Sequence, residues 1–277
     1  MNENIKVSII MPVWKEAKYI ERSIESVISQ TFSSWELIII DDGLYDKAKD
    51  RVKSFIQKDK RIIFFKNESN LGLQKTLNKG LREAKGEYIA RIDDDDEWID
   101  KNKLKKQIEF LDQNKDYGLV GVSGIIVVDD NHDELFRYSL PETDNKIRDK
   151  ILYKNCFVHS SVLFRLDLVK NLGMYEESDD TMHIEDYALW LKIGLKSKFC
   201  NVSGFGIQYM LSSNSISSVN KKKQFKKNIK LIKKYNKKYP NYLISVFLNA
   251  IKLYFLILLN LIPAVVKNKV IKIYKEL

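Results

Sequence analysis

Four consecutive aspartates, Asp93, Asp94, Asp95 and Asp96, follow the apolar stretch EYIARI and concentrate carboxylates where no core can use them. Asp side chains are hard oxygen donors suited to Mg²⁺ or Mn²⁺. A bare acidic run is also an ordinary solvated loop or helix N-cap. Asp100, just ahead of the helical KNKLKKQIEFL, is the better cap candidate, which leaves the run with less structural reason to exist. A divalent ion there would match a diphosphate, because Mg²⁺ or Mn²⁺ uses one or two carboxylates and completes its shell with phosphate oxygens and water. The usual phosphate cradles are missing: there is no G-x-x-x-x-G-K-S/T, and no G-x-G-x-x-G follows the first apolar run. That absence argues against a kinase or a dehydrogenase. Two further acidic pairs stand out, Asp41 with Asp42 before Gly43, and Glu185 with Asp186 at the head of an expected helix, where capping is the ordinary use.

The elements that must position these residues follow from hydrophobic periodicity. IKVSIIM predicts a buried strand, Pro12 a turn, and Ile20, Ile24, Val27 and Ile28 recur at helical spacing. ELIIIDDG, RIIFF and EYIARIDDDD predict three more strands. Between them lie a Lys-rich helix with Val52, Phe55 and Ile56 on one face, and a helix LQKTLNKGLREAKG closed by Gly86. Continuous apolar strands separated by helices predict an α/β chain with a mostly parallel sheet covered on both faces. Ligands bind such sheets outside the carboxyl ends of the strands. Residues 12–16, 41–43 and 93–96 all fall there, so one crevice could collect them. From 117 onward, YGLVGVSGIIVVDD and ELFRYSL read as antiparallel strands, followed by a short helix near 144–153, the strand SSVLFR and the helix DYALWLKIGLKS. No internal repeat or Gly/Ser linker divides the unit.

With 277 residues and 44% hydrophobic composition the chain can build a sizeable core. Cys156 and Cys200 are too few for a disulfide framework and sit in no zinc-type cluster, so they read as reduced thiols. The N-terminal apolar run is short, lacks a basic lead and is broken by Pro12, which makes a poor signal peptide. Residues 219–277 hold 15 Lys and one Glu, leaving 32 Lys and Arg against 36 Asp and Glu before them, so the basic surface lies entirely in the tail.

VSIIMPVWKEAKYIERSIESVISQTFSSWELIIIDDG, NESNLGLQKTLNKGLREAKGEYIARIDDDD and HIEDYALWLKI, in that order, resemble family 2 glycosyltransferases of the GT-A fold over about residues 5–218. The resemblance implies a catalytic domain over 1–218, with a nucleotide-binding half at 1–116 and an acceptor half at 117–218. Within it, Pro12, Val13 and Glu16 match the loop bordering the nucleotide, and Asp42, beside Asp41, matches the aspartate expected to hydrogen-bond the base. Asp93 and Asp95 match the D-x-D motif. Asp95 is the first choice as ligand to Mn²⁺ or Mg²⁺, with Asp93; Asp93 and Asp94 are also expected to border the nucleotide, and Asp96, together with His159 on a strand facing the site, is a possible contact to donor or acceptor. Asp186, beside Glu185, matches the catalytic base. A displacement that inverts the sugar carbon needs a base opposite the leaving diphosphate, so one carboxylate must stand well away from the metal site. A helix N-terminus would stabilise its ionised form. Trp98 and Trp190 read as packing residues.

The pattern departs in two places. DDGLYD puts Leu44 and Tyr45 where the family has small polar residues, and YMLSSNSISS has Met210 and Ser212 where relatives often carry Arg and His, leaving Asn214, Ser217 or Lys221 to close the loop. A catalytically inactive sugar-nucleotide or glycan binder is therefore an alternative. A nucleotidyltransferase is another, although PVWKEAKY is not its Gly- and Arg/Lys-rich phosphate loop. The resemblance implies transfer of one sugar, since Q-x-x-R-W is absent, from a nucleotide sugar, UDP-linked by family weighting. The tail, 219–277, pairs a Lys run with NYLISVFLNAIKLYFLILLNLIPAVV, strongly apolar over more than 20 residues with only Lys252 charged. It predicts a helix lying on a membrane surface, although a spanning or a docked helix fits the same pattern. That places the chain at the cytoplasmic face, with a lipid-linked glycan as acceptor and no nucleic-acid partner.

Overall fold

The computed structural model describes residues 5–211 and 221–259. Its first half alternates β1 (Val7–Lys15), α1 (Ile20–Ile28), β2 (Trp35–Leu44), α2 (Asp46–Lys58), β3 (Ile62–Lys66), α3 (Leu73–Glu83) and β4 (Tyr88–Arg91). These four strands pair in the order β3-β2-β1-β4, all parallel. Residues 7–13 and 35–42 are buried without a break, as a sheet covered on both faces requires. Successive side chains serve opposite layers. Ile9 and Met11 join Ile20, Ile24, Val27 and Leu104 on one face, whereas Ile10, Ile38 and Ile40 join Leu77, Leu81 and Trp190 on the other.

Beyond β4 come β5 (Glu97–Trp98), α4 (Lys103–Gln113), β6 (Tyr117–Val128), β7 (Glu134–Ser139) and α5 (Asp144–Ile151). They are followed by a 3₁₀ turn (His159–Ser161), β8 (Leu163–Arg165), α6 (Leu166–Asn171), α7 (Glu185–Ile193) and β9 (Lys198–Met210). The sheet becomes mixed here: β8 is antiparallel to β4 and β6, β7 is antiparallel to β6, and β6 runs parallel to β9. The thirteen-residue β9 is not visible in the sequence periodicity. KFCNVSGFGIQYM mixes polar residues and glycines, and its pairing with β6 shifts register three times. Only the long-range partner makes it a strand.

The tail packs onto this domain over its described part. In α8 (Lys221–Lys234), Leu231 and Ile232 are buried, and Lys230 pairs with Asp180 at 2.7 Å. Each buried aliphatic contributes roughly 1.5–3 kcal/mol, and the exposed ion pair about 0–1 kcal/mol, so apolar packing holds the helix. In α9 (Tyr242–Leu259), Ser245 and Asn249 face the domain, whereas Leu243 and Phe247 are 79% and 64% exposed. Among the described residues no helix is long and apolar enough to cross a membrane.

Gly86 corrects one expectation. The helix it was predicted to close ends at Glu83, and Gly86 lies two residues beyond the cap at Ala84. A Cβ on Gly86 would meet the Ser8 backbone nitrogen at 2.5 Å, so glycine is needed where the chain crosses β1 rather than to end a helix. Gly86→Ala is expected to lower unfolding free energy in urea by about 2 kcal/mol or more, the overpacking cost, instead of the ~1 kcal/mol of a lost cap.

Candidate active site

The carboxyl ends of β1, β2 and β4 open on a cleft of about 510 Å³, lined among others by Pro12, Val13, Asp42, Asp93, Asp94 and Glu185. The fold thereby gathers three segments far apart in sequence. Asp42 is held from three sides: Asn67 Nδ2 and Leu71 N donate to its Oδ1 at 2.8 and 2.7 Å, and Gly72 N donates to Oδ2 at 2.9 Å. Asp41 turns away from the cleft. Its Oδ1 accepts from the backbone N–H groups of Gly43 and Leu44, 2.8 and 2.6 Å, so it shapes the turn after β2. Glu16 is exposed and outside the lining, in a loop where Lys15 and Ala17 take left-handed φ values of 56° and 41°.

The aspartate run is organised around a residue that the sequence reading did not single out. Arg91, 1% exposed at the end of β4, donates Nη2 to Asp93 Oδ1 at 2.6 Å. Burial works against its charge, but Asp93 outweighs that and holds the guanidinium above its ordinary value. Ser160 of the 3₁₀ turn completes the grip, accepting from Asp93 N at 3.0 Å and donating to Asp93 Oδ2 at 3.2 Å. Asp96 is buried, and its Oδ1 accepts from Met210 N at 2.9 Å. The position where relatives often have Arg thus supplies a backbone N–H to the acidic cluster, while the Met210 side chain is buried. Ser212, Asn214, Ser217 and the side chain of Lys221 lie outside the described residues.

The donor set fits a divalent cation. Asp93, Asp95 and Asp96 each offer a carboxylate oxygen within 4.8 Å of the others, an all-oxygen arrangement suited to Mg²⁺ or Mn²⁺. Asp96 Oδ2 is buried with no protein partner among the described residues. Burial first, and then the negative charge of Asp93, push Asp95 up to about 7. Asp94 and Asp96 are also raised, by burial and then by Asp95. A cation would relieve that repulsion. Asp96, expected as a neighbour with a possible substrate contact, belongs instead to the oxygen cluster, while Asp94 lines the cleft.

Glu185 and Asp186, in the first turn of α7, face different spaces. Glu185 lines the large cleft; Asp186 lines a separate polar cavity of about 220 Å³ with Asn155, Gln224, Asn228 and Asn249. Burial raises both carboxyls, Glu185 to about 7 with the Asp186 charge adding to it. Asn155 Nδ2 donates to Asp186 Oδ2 at 2.9 Å and favours its ionised form. Ile184 occupies the N-cap, so neither acid is the capping residue. His183 lines both cavities and holds a left-handed φ of 69°, the strained backbone often found at functional sites.

His159 sits in the 3₁₀ turn rather than on a strand. Its Nε2 is 2.8 Å from Tyr175 Oη, and burial, then Arg91, hold its pKa well below the ordinary imidazole range. Burial and Arg91 both work against a charged ring at this position. Trp98 and Trp190 are buried. Trp14, by contrast, is 45% exposed and lines the large cleft. An aromatic directly after an apolar run at a strand's carboxyl end was the signal for it.

Residues 8–173 match Glycosyl transferase family 2. The chain is 36% identical over 224 residues to the Escherichia coli UDP-Glc:alpha-D-GlcNAc-diphosphoundecaprenol beta-1,3-glucosyltransferase WfgD, covering 80% of this chain and 83% of that protein. Among solved structures, Staphylococcus aureus TarS 1–349 in complex with UDP-GlcNAc superposes with a TM-score of 0.62 at 21% identity. That match covers 77% of this chain and 61% of TarS 1–349. The mannosyltransferase PcManGT of Pyrobaculum calidifontis, in complex with GDP-Man and Mn²⁺, superposes at 0.64 with 17% identity, covering 85% of this chain and 66% of that one. These likenesses show the GT-A fold.

Because the Asp95 value lies above its ordinary 3.8, the unfolded chain loses this proton first, and metal-free stability should fall as pH rises from about 4 to about 7. Asp95→Asn is expected to raise the metal-free Tm at pH 8 by about 2–4 °C, equivalent to about 1 kcal/mol. The same variant should lose the Mn²⁺-induced rise in Tm that the wild type shows. A variant melting below wild type in chelator, yet responding equally to Mn²⁺, would refute the assignment.

Proposed function

The chain belongs to glycosyltransferase family 2, and on that footing we propose that it is a metal-dependent, inverting hexosyltransferase. It moves one sugar from a nucleotide-diphospho-sugar, UDP-linked in the favoured case, to a lipid-linked glycan during bacterial capsule or O-antigen type synthesis. The observation that carries this reading is the division of space at the head of α7. The large cleft reaches the aspartate run and Glu185, while Asp186 faces a different polar cavity. Donor and acceptor would then meet where the two spaces adjoin, at His183, which lines both.

In this mechanism Asp42, Pro12 and Val13 border the nucleotide. Asp93, Asp95 and Asp96 would hold Mn²⁺ or Mg²⁺, which when bound supplies neutralisation of diphosphate charge. Asp186 accepts the proton of the acceptor hydroxyl as the hydroxyl oxygen attacks the anomeric carbon, whose bond to the diphosphate oxygen breaks and releases the nucleoside diphosphate, and Asn155 keeps the Asp186 carboxylate oriented. No covalent intermediate is required. The basic tail and the exposed apolar side chains of α9 support a place at the cytoplasmic face of the membrane. The UDP-Glc of WfgD, and the UDP-GlcNAc and GDP-Man bound by TarS and PcManGT, support a nucleotide-sugar donor. A second reading, a sugar-nucleotide binder without turnover, is favoured by Met210, whose apolar side chain replaces the common Arg.

Titration calorimetry of UDP, GDP and UDP-sugars with and without Mn²⁺ should show metal-dependent binding that Asp95→Ala abolishes. The absence of any nucleotide binding would overturn the mechanism, and binding without transfer would select the second reading. Asp186→Asn should cut turnover by about 10²–10⁴-fold with nucleotide affinity unchanged. The base must be ionised and its pKa is raised, so the acid limb of kcat/KM should lie above the ordinary carboxylate range. Asn155→Ala should move that limb to higher pH, and an unmoved limb would exclude Asp186 as the base.

A further inference from the structure

Beside the Asp186 cavity lies a third open cleft of about 500 Å³, whose wall includes Ser139, Glu142, Lys146, Lys150, Tyr153 and Lys154. The three lysines recur every four residues, so α5 and the turn after it carry their ammonium groups along one face. Tyr153 and Lys154 belong to both linings, so the lysine cleft adjoins the space that Asp186 faces. Lys252 of α9 backs the junction, donating Nζ to the Tyr153 carbonyl at 2.9 Å, and burial, then Lys154, depress its pKa.

A run of surface lysines is ordinarily a solvated face, and three features separate this one from that case. It lines a cavity; Glu142 is its sole acid; and no ion pair neutralises Lys146, Lys150 or Lys154 among the described residues. In addition, α9 crosses the same end of α5, held by Asn241 Nδ2 on the Asp149 carbonyl at 3.0 Å as well as by Lys252. This helix leaves Leu243, Ile244, Phe247 and Ile251 exposed. A polar cavity with a carboxylate base, a cationic cleft and an apolar helix therefore lie next to one another.

We propose that the lysine cleft binds the phosphate or diphosphate joining sugar to lipid in the acceptor. The acceptor sugar enters the Asp186 cavity, its anionic linker rests on Lys146, Lys150 and Lys154, and its hydrocarbon leaves along the apolar side of α9. Planar or point cations recognise phosphate through charge-assisted hydrogen bonds, and lysine does so as a point charge. The inference rests on the glycosyl-transfer reading above, and adds to it the residues that select a charged acceptor.

The test uses the full chain and two probes, a farnesyl-diphosphate-linked N-acetylhexosamine and the same sugar on a neutral farnesyl ether. Binding is compared for the wild type, for Lys146→Ala/Lys150→Ala/Lys154→Ala, and for a charge-matched control, Lys47→Ala/Lys60→Ala/Lys105→Ala, whose lysines are exposed elsewhere. The wild type and the control should prefer the diphosphate probe by about tenfold or more, and the cleft variant should lose that preference. An equal preference in the cleft variant, or none in the wild type, overturns the proposal. Phosphatidylcholine vesicles with and without phosphatidylglycerol separate the other source of phosphate. If the cleft variant loses only vesicle binding, the lysines read membrane headgroups and the proposal fails. UDP calorimetry on the same proteins keeps the two readings apart, because loss of donor binding in the wild type counts against transfer, whereas retained donor binding in the cleft variant assigns its defect to the acceptor side.

Discussion

Arg91 is a guanidinium buried in the middle of a domain, and its charge is tolerated only because carboxylates surround it. An isolated buried cation costs several kcal/mol even after relaxation. Here the 2.6 Å bond to Asp93 offsets that cost, and the same charge partly opposes the rise that burial imposes on Asp94, Asp95, Glu185 and Asp186. It also works against a charged His159 ring. One positive charge cannot balance this many acids, and the site retains excess negative charge that a divalent ion is suited to neutralise. The burial of Arg91, the crowding of the aspartates and the fit of a metal are thus parts of one electrostatic arrangement, in which β4 delivers the cation and the loop after it delivers the anions.

The second half of the chain converts that charged crevice into two compartments. The strand β9 runs beside β6 and ends where Met210 N–H reaches Asp96, which ties the far end of the sheet to the acidic loop. The helix α7 places Glu185 toward one space and Asp186 toward the other. The tail supplies Gln224, Asn228 and Asn249 to the wall of the second, so α8 and α9 are building material for a cavity as well as carriers of basic and apolar surface.

The alternation of strands and helices over the first hundred residues was legible because β1, β2 and β4 are buried almost throughout, and apolar residues recur at helical spacing between them, although β3 is only partly buried. The aspartate run was legible because charge at the end of an apolar run has few structural uses, whereas the Glu185 with Asp186 pair, at a helix head where capping is the ordinary use, stood out only through the family resemblance. Other details were not. Asp41 and Asp42 are neighbours of one type, yet the first folds back onto its own turn while the second lines the cleft. His159 was read on a strand, but the backbone tightens into a 3₁₀ turn so that Ser160 can grip Asp93. The strand β9 was missed since glycines and polar residues interrupt its pattern, and pairing energy from β6 replaces intrinsic preference.

By itself the sequence determined the family, the parallel first half of the sheet, the acidic residues available for a cation, and the separation of a basic tail from a mildly acidic domain. Each of these depends on residue type and short-range spacing. Tertiary structure alone decided that Asp96 completes the oxygen cluster with Asp93 and Asp95, that Arg91 is buried against Asp93, that Glu185 and Asp186 line different cavities, and that Gly86 packs against β1. Those outcomes depend on contacts with distant segments, Met210 on Asp96, Ser160 on Asp93 and the tail beside Asp186, and on the dielectric around each group. No local pattern encodes either one, because burial and charge proximity exist only once the chain has folded.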